Sequence, residues 1–319
     1  MDKFLPVSAL QESFDEALGL LEDYLQTHEP FDPDSAEPLP SLLEQCQALC
    51  AELPPEPPVR SVHHLACTGG TLICKCLATM PNVTLLSEMD PLSRMQMAPG
   101  RKRPFAPTDL IYGARVALRG IDDETAARTF LAGLQALHED LCLLGRHLVL
   151  RDHAHSQFCS DTAPEERPTL HQLLLDRGPN LAIVTVRHPL DSYLSLIRNG
   201  WTTFSPFTLE EYARRYQQFL DRHRGLPQFK YEDFVADPEQ VLSEMCAQLD
   251  LVYTEGAEML LGVVAMSGDS GRSSNSIGHR PRRGVNPDIQ AELSRSPSYE
   301  ALCAEMGYDP GLDEAESAN

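Results

Sequence analysis

Positive charge is scarce in this chain. Lys and Arg number 26 against 47 Asp and Glu, and the net charge is −21 at pH 7. Such a balance argues against nucleic acid, anionic membranes and polyanionic glycans as main partners, since each needs a basic surface. It also serves solubility. No apolar run approaches the roughly 18 residues of a membrane span, and Met1 is followed directly by Asp2 rather than by a leader-like stretch. No membrane span and no signal peptide are therefore expected. The nine cysteines are an odd number without a CxxC pair, and several lie in apolar runs. This fits a reduced, cytoplasmic chain without a structural zinc, and no metal-ligand spacing or internal repeat is visible. Tryptophan occurs once, at Trp201.

What is present is enough to build a core, since 42% of the 319 residues are hydrophobic. Acid is concentrated at the start, where residues 1–59 hold thirteen Asp/Glu and one lysine. Residues 7–28 place Leu10, Phe14, Leu18, Leu21 and Tyr24 on one helical stripe. A second short helix is expected over 41–52. Pro54-Pro55-Glu56-Pro57-Pro58 is a stiff connector. The expected division is an acidic helical appendage over 1–57, suited to oligomerisation or to covering a site, and an α/β domain over 58–319.

Beyond the connector the pattern alternates. Strands are expected at 60–66, 83–86, 147–151, 181–187 and 229–231. Helices are expected at 71–80, 107–119, 124–145, 167–176, 189–199, 208–223 and 237–249. The strands read as apolar runs, as in a sheet covered on both faces. Alternation of strand and helix predicts an α/β fold with a central parallel sheet and helices on both faces. Residues 267–284 form a Gly/Ser/Arg loop without periodicity.

Between the first strand and its helix lies Thr68-Gly69-Gly70-Thr71. A tight strand-to-helix turn aims several backbone N–H groups at one point, and the helix dipole adds positive potential there. Gly69 and Gly70 remove side chains that would hold an anion away, and Thr68 and Thr71 add hydroxyl donors. The Walker pattern GxxxxGK[ST] is absent, so the turn alone is equally a plain connection. Three further segments add weight. Val186-Arg187-His188-Pro189 ends a strand in arginine and opens a helix on proline, with Ser195 two turns on; Arg187 there can fork onto a phosphate. Lys230-Tyr231-Glu232-Asp233 is another strand-to-helix junction. Arg280-Pro281-Arg282-Arg283-Gly284 is a basic knot in an acidic chain.

In this order the four segments resemble the sulfotransferases that use 3′-phosphoadenosine 5′-phosphosulfate (PAPS), over roughly residues 60–285. The resemblance implies a P-loop-like fold and transfer of a sulfuryl group from PAPS to a hydroxyl or amine. The acceptor would be a small or neutral molecule, whether a simple metabolite, a glycan or a lipid. The product is 3′,5′-adenosine bisphosphate. It implies that Thr68, Gly69, Gly70 and Thr71 hold the 5′-phosphosulfate. Arg187 and Ser195 would hold the 3′-phosphate, Arg282, Arg283 and Gly284 would close over it, and Tyr231 would lie near the adenine. The family's turn usually carries Lys or Arg where this chain has Thr68. That cation stabilises the leaving oxygen, so Arg151 and Lys75 are the candidates to replace it. Such transfer asks for in-line placement and little covalent chemistry, and requires no metal.

A base for the acceptor is needed. In many members a histidine two residues after a middle-strand lysine serves, and Arg151-Asp152-His153 has that spacing. Some branches use a glutamate after the second strand, here Glu88. His153 is preferred because an imidazole titrates near neutrality. His155, His63 and His64 read as structural or substrate-lining. Loops 90–106 and 200–207, the latter with Gly200, Trp201 and Phe204, are candidates for the acceptor pocket. Two other readings stay open: a P-loop-type kinase, which wants magnesium and the missing lysine, and a non-catalytic nucleotide-binding protein.

Overall fold

The structure, a computed structural model, describes residues 57–97, 105–161, 163–266, 277–278 and 284–312, with scattered positions between 15 and 45. The chain divides into two compact units, Met1–Pro55 and Glu56–Asn319. In the first, residues 15, 18–20, 22, 23 and 45 are helical, and Leu18 and Leu20 are exposed. Leu10, Phe14, Leu21 and Tyr24 of the expected stripe lie outside the described residues.

The second unit is built on five parallel strands: β1 (Val59–His64), β2 (Val83–Met89), β3 (His147–Asp152), β4 (Asn180–Val186) and β5 (Gln228–Lys230), in the order β2-β3-β1-β4-β5. The chain leaves β1 in one direction for β2 and crosses β1 again between β3 and β4. This reversal opens a crevice at the carboxyl ends of β1, β3 and β4, the usual ligand position in such sheets.

Twelve α-helices are described: α1 (Gly70–Ala78), α2 (Leu110–Arg115), α3 (Asp123–Leu143), α4 (His155–Phe158), α5 (Leu170–Leu175), α6 (Pro189–Asn199), α7 (Leu209–Arg222), α8 (Tyr231–Ala236), α9 (Pro238–Gln248), α10 (Ala257–Leu260), α11 (Pro287–Leu293) and α12 (Pro297–Met306). Their starts carry local signals. Asp122, Thr208, Asp237 and Asn286 each accept an N–H from the first turn, and Thr169 with Gln172 forms a reciprocal capping box. Leu209, Tyr212, Ala213, Tyr216, Phe219 and Leu220 repeat at helical spacing and turn one face of α7 into the core.

Both faces of the sheet are covered. On one, Leu72, Ile73 and Leu77 of α1 and Leu242 and Met245 of α9 pack on Val62, Val149 and Ile183. On the other, Leu134 and Leu141 of α3 and Leu170 and Leu174 of α5 pack on Val59, Leu148 and Leu150. A third cluster joins α6, α7, α11 and α12 to Val184 and Val186.

β1 departs from the apolar run expected of a central strand. Its sequence is VRSVHH and every residue is buried. A buried polar group must be hydrogen-bonded to be tolerated, and these are. Arg60 donates to the carbonyls of Leu249 (2.5 Å), Pro58 and Asp250 (both 3.0 Å), capping the end of α9. Ser61, His63 and His64 join networks described below. Among the described residues no helix is long and apolar enough to cross a membrane.

Candidate active site

The turn after β1 is shaped by Cys67 and Gly69, both left-handed (φ 63° and 90°). α1 then starts with no side-chain cap and no acidic residue in its first turn. Its positive end is left for an external anion. Thr68 differs from the donor expected of it: it is fully buried, and its hydroxyl and N–H both donate to the Leu65 carbonyl (2.8 and 3.4 Å). Its work is to shape the turn.

The two glycines answer to neighbours as well as to any ligand. A Cβ on Gly69 would overlap the Tyr231 ring, and one on Gly70 would overlap the imidazole of His64. Gly69→Ala also forces an alanine to φ 90°. We expect it to cost about 2–4 kcal/mol, combining left-handed strain with overpacking. Gly133→Ala within α3, where a methyl meets nothing, is expected to stabilise by about 0.5–1 kcal/mol. Urea denaturation of the two variants checks both signs.

Arg151, the last residue but one of β3, is buried and pinned on several sides. Its Nε donates to His64 Nε2 (2.9 Å), Nη1 to Ser87 Oγ (2.8 Å) and Nη2 to Thr71 Oγ1 (2.8 Å), while Nη1 also lies 2.6 Å from Glu88 Oε1. His64 in turn gives its Nδ1–H to the Leu65 carbonyl (3.1 Å). Burial and the Arg151 charge hold its pKa down at about 3, so it is a neutral acceptor. Lys75 lies in the last turn of α1.

Glu88 and His153, alternatives in the sequence, form a pair. His153 Nε2 is 2.9 Å from Glu88 Oε2. The register of β2 against β3 shifts between Leu86 and Met89, and Glu88 takes a left-handed φ of 61° within that irregularity. Such a bulge re-aims a side chain. Burial alone would raise the Glu88 carboxyl, but the hydrogen bond from His153 and the charges of Arg151 and His153 prevail and hold it at about 2. His155 packs edge-on against His153 at 3.9 Å and stacks on Trp201 at 6.1 Å. Burial, reinforced by His153, lowers its pKa to about 3. Trp201 thus borders this group while also packing on the core. Phe204 is instead buried in the core beneath the Arg215 guanidinium (4.8 Å).

Arg187 stands just beyond β4 on the other side of the same turn. Its Nη1 donates to the Cys67 carbonyl (3.3 Å), and its guanidinium lies 4.9 Å from the centre of the Tyr231 ring. Its Nε is buried and finds no hydrogen-bond partner among the described residues. Tyr216 clamps its backbone, accepting the N–H (3.0 Å) and donating to the carbonyl (3.2 Å). Ser195 lies in α6 with its hydroxyl donating to the Asp191 carbonyl (2.8 Å). Tyr231 opens α8 rather than closing a strand. Gly284 is exposed, and Arg282 and Arg283 lie outside the described residues.

The sequence model of the sulfotransferase family matches residues 65–255, the span that holds this turn, both arginines and the Glu88–His153 pair. The chain belongs to the sulfotransferase family. No curated protein matches it in sequence. Among solved structures, the sulfotransferase resembles the sulfotransferase domain of the curacin biosynthetic pathway (16% identity, 80% of this chain and 99% of that one, TM-score 0.45). It also resembles the sulfotransferase domain of the Synechococcus PCC 7002 olefin synthase (20%, 81% and 97%, TM-score 0.47). A third is a sulfotransferase from Alicyclobacillus acidocaldarius (18%, 79% and 96%, TM-score 0.41).

Three residues in the sulfotransferase were not singled out from sequence. Ser87 holds Arg151 together with His64, which the sequence had marked as structural or substrate-lining. Glu232 accepts the His188 N–H (3.1 Å) and the Tyr308 hydroxyl (2.7 Å), fixing the end of β4. Asp90 takes a two-pronged bond from Arg167 (2.8 and 2.7 Å) and a bond from Ser156, bracing the segment after Glu88. A carboxylate directly after a strand was the available signal for Asp90; nothing local marked the others.

Proposed function

We propose that this sulfotransferase moves a sulfuryl group from PAPS to a hydroxyl or amine of a small or neutral acceptor. One observation carries the reading: two arginines from the ends of the strands that flank β1 reach opposite sides of one turn, Arg151 at Thr71 (2.8 Å) and Arg187 at Cys67 (3.3 Å). A donor with phosphate groups at both the 5′ and 3′ positions asks for two such cations, whereas a kinase asks for a turn lysine that the sequence lacks.

The fit to PAPS rests on the turn and on Arg187. The uncapped start of α1, with Gly69, Gly70 and Thr71, would receive the 5′-phosphosulfate, and the unpartnered Arg187 Nε would meet the 3′-phosphate. Ser195 would join by turning its hydroxyl away from Asp191, Tyr231 would flank the adenine, and Arg282, Arg283 and Gly284 would close over the donor. The donor supplies an activated sulfuryl group.

The remaining work belongs to the protein. Arg151 holds a fixed positive charge beside Thr71, where negative charge grows as the S–O bond breaks, and so replaces the missing turn cation. Glu88, held ionised between Arg151 and His153, is too weak a base for a neutral-pH proton transfer. It receives the Nε2–H of His153 and so leaves Nδ1 with a lone pair for the acceptor's proton. Glu88 is then a positioning residue that also stabilises the imidazolium.

Calorimetric titration tests the donor class. Tight binding of 3′,5′-adenosine bisphosphate without magnesium is expected, with ATP·Mg weaker by at least about tenfold, a difference of about 1.4 kcal/mol. Preference for ATP·Mg would establish the kinase, and binding of neither would establish a non-catalytic protein. Screening acceptors with sulfur-labelled PAPS then identifies the substrate.

A further inference from the structure

On the face of the sheet opposite Arg151 lies a second polar group that the transfer chemistry does not use. It consists of His63 from β1, Asp152 from β3 and His223 just beyond α7, each at most 3% exposed. Their ligand atoms all lie within 4.8 Å of one another. His63 Nδ1 is 2.7 Å from Asp152 Oδ2, and His223 Nε2 is 4.0 Å from the same oxygen. Phe158 and Phe219 wall the group, with Phe219 4.5 Å from the His223 ring.

The hydrogen bonds around it decide where the protons are. The Ser61 hydroxyl has one proton and donates it to Asn180 Oδ1 (3.3 Å); the Asn180 amide in turn faces His171 Nδ1 (3.3 Å). Ser61 Oγ must then accept from His63 Nε2 (3.0 Å). His63 therefore carries its proton on Nε2 and turns the Nδ1 lone pair to Asp152. His223 gives its Nδ1–H to the Phe219 carbonyl (2.8 Å), which leaves an Nε2 lone pair. That Nε2 is buried and finds no hydrogen-bond partner among the described residues.

Two imidazole lone pairs and a carboxylate thus converge in a buried pocket, and something positive must lie between them. A single proton satisfies His63 and Asp152 and leaves His223 Nε2 orphaned, which is costly for a buried polar atom. A divalent cation satisfies all three. Both imidazoles already have the outer hydrogen bond that metal-bound histidines make, from the far nitrogen to a hydroxyl or a carbonyl. We propose that His63 Nδ1, Asp152 Oδ2 and His223 Nε2 bind one zinc-class divalent cation, a structural clamp joining β1, β3 and the end of α7.

Tetrahedral Zn²⁺ with bonds of about 2.0 Å sets its ligands about 3.3 Å apart, so the 2.7 Å edge opens by roughly 0.6 Å, the 4.0 Å edge closes by roughly 0.7 Å and the third, within 4.8 Å, closes by at most about 1.5 Å. Binding displaces the shared proton of the His63–Asp152 pair to solvent, as metal sites do. A nitrogen-rich donor set of this kind favours Zn²⁺ or Co²⁺ over Mg²⁺ or Ca²⁺. The ligands come from three elements far apart in the chain, which is why no ligand spacing is visible in the sequence.

The full chain, freed of metal by chelator under mild denaturation and refolded with about 0.1 mM Zn²⁺ or Co²⁺, tests this. We expect one metal per chain, the visible absorption of tetrahedral Co²⁺, and a Tm at least about 5 °C higher with Zn²⁺ than with chelator. His223→Phe, suited to its phenylalanine surroundings, is expected to fold, bind no metal and lose the Zn²⁺ effect on Tm. His155→Ala is expected to retain one metal per chain, which separates this site from the Glu88–His153–His155 group, whose ligand atoms also cluster. Should His223→Phe not fold, Asp152→Asn carries the same contrast. Wild-type chain that takes up no stoichiometric metal, or metal that survives His223→Phe and leaves with His155→Ala, overturns the proposal.

Discussion

His153→Ala is expected to lower kcat by about 10²–10⁴-fold, the contribution of a positioned base, while affinity for 3′,5′-adenosine bisphosphate stays within about twofold of wild type. The separation follows from position. His153 touches Glu88 (2.9 Å) and packs against His155 (3.9 Å), whereas Arg187 lies over the Tyr231 ring (4.9 Å). Glu88→Gln keeps a hydrogen-bond acceptor for His153 but removes the charge that stabilises the imidazolium, so its loss should be smaller, about tenfold to a hundredfold. Loss of turnover in Glu88→Gln equal to or greater than in His153→Ala would reverse the roles.

Arg187→Ala is expected to weaken binding of 3′,5′-adenosine bisphosphate by about 30- to 1,000-fold, the range for truncating one side of a buried, charge-assisted contact. The guanidinium is already placed for a ligand. Its backbone is clamped by Tyr216, its guanidinium lies near Tyr231, one nitrogen holds the turn at Cys67, and Nε has no hydrogen-bond partner among the described residues. Little ordering remains to be done on binding, so most of the contact energy reaches the affinity. Arg187→Lys should recover only part of the loss, because an ammonium cannot both hold the Cys67 carbonyl and fork onto a phosphate. Calorimetric titration of the three proteins measures this. Affinity within about threefold of wild type in Arg187→Ala would remove Arg187 from the nucleotide site.

How far the sequence leads depends on whether the signal is local. β4 with Arg187, His188-Pro189 and α6 were readable because an apolar run, a proline at the first helical position and Gly200 at the end are all local devices. α11 and α12 were missed although Asn286-Pro287 and Ser296-Pro297 are starts of the same kind; they follow an aperiodic loop and are short. β1 misled in the other direction, since its polar residues are buried by partners 87 to 190 positions away. The missing turn lysine pointed to Arg151 or Lys75, but only the sheet order, which sets β3 beside β1, brings Arg151 to Thr71. Glu88 and His153 looked like rivals because nothing in the sequence marks the bulge that turns one toward the other.

That bulge sets a tension between endurance and turnover. Glu88 and Cys67 both hold a left-handed backbone without being glycine, each at the end of a strand that feeds the crevice. Such residues cost of order 1 kcal/mol apiece, which glycine would not. A library sorted for heat resistance alone would be drawn to glycine at both positions. At 67 the exchange keeps the carbonyl that Arg187 holds; at 88 it erases the carboxylate that joins Arg151 to His153. The same relief of strain is thus expected to leave turnover intact at one strand end and to lower it at the other.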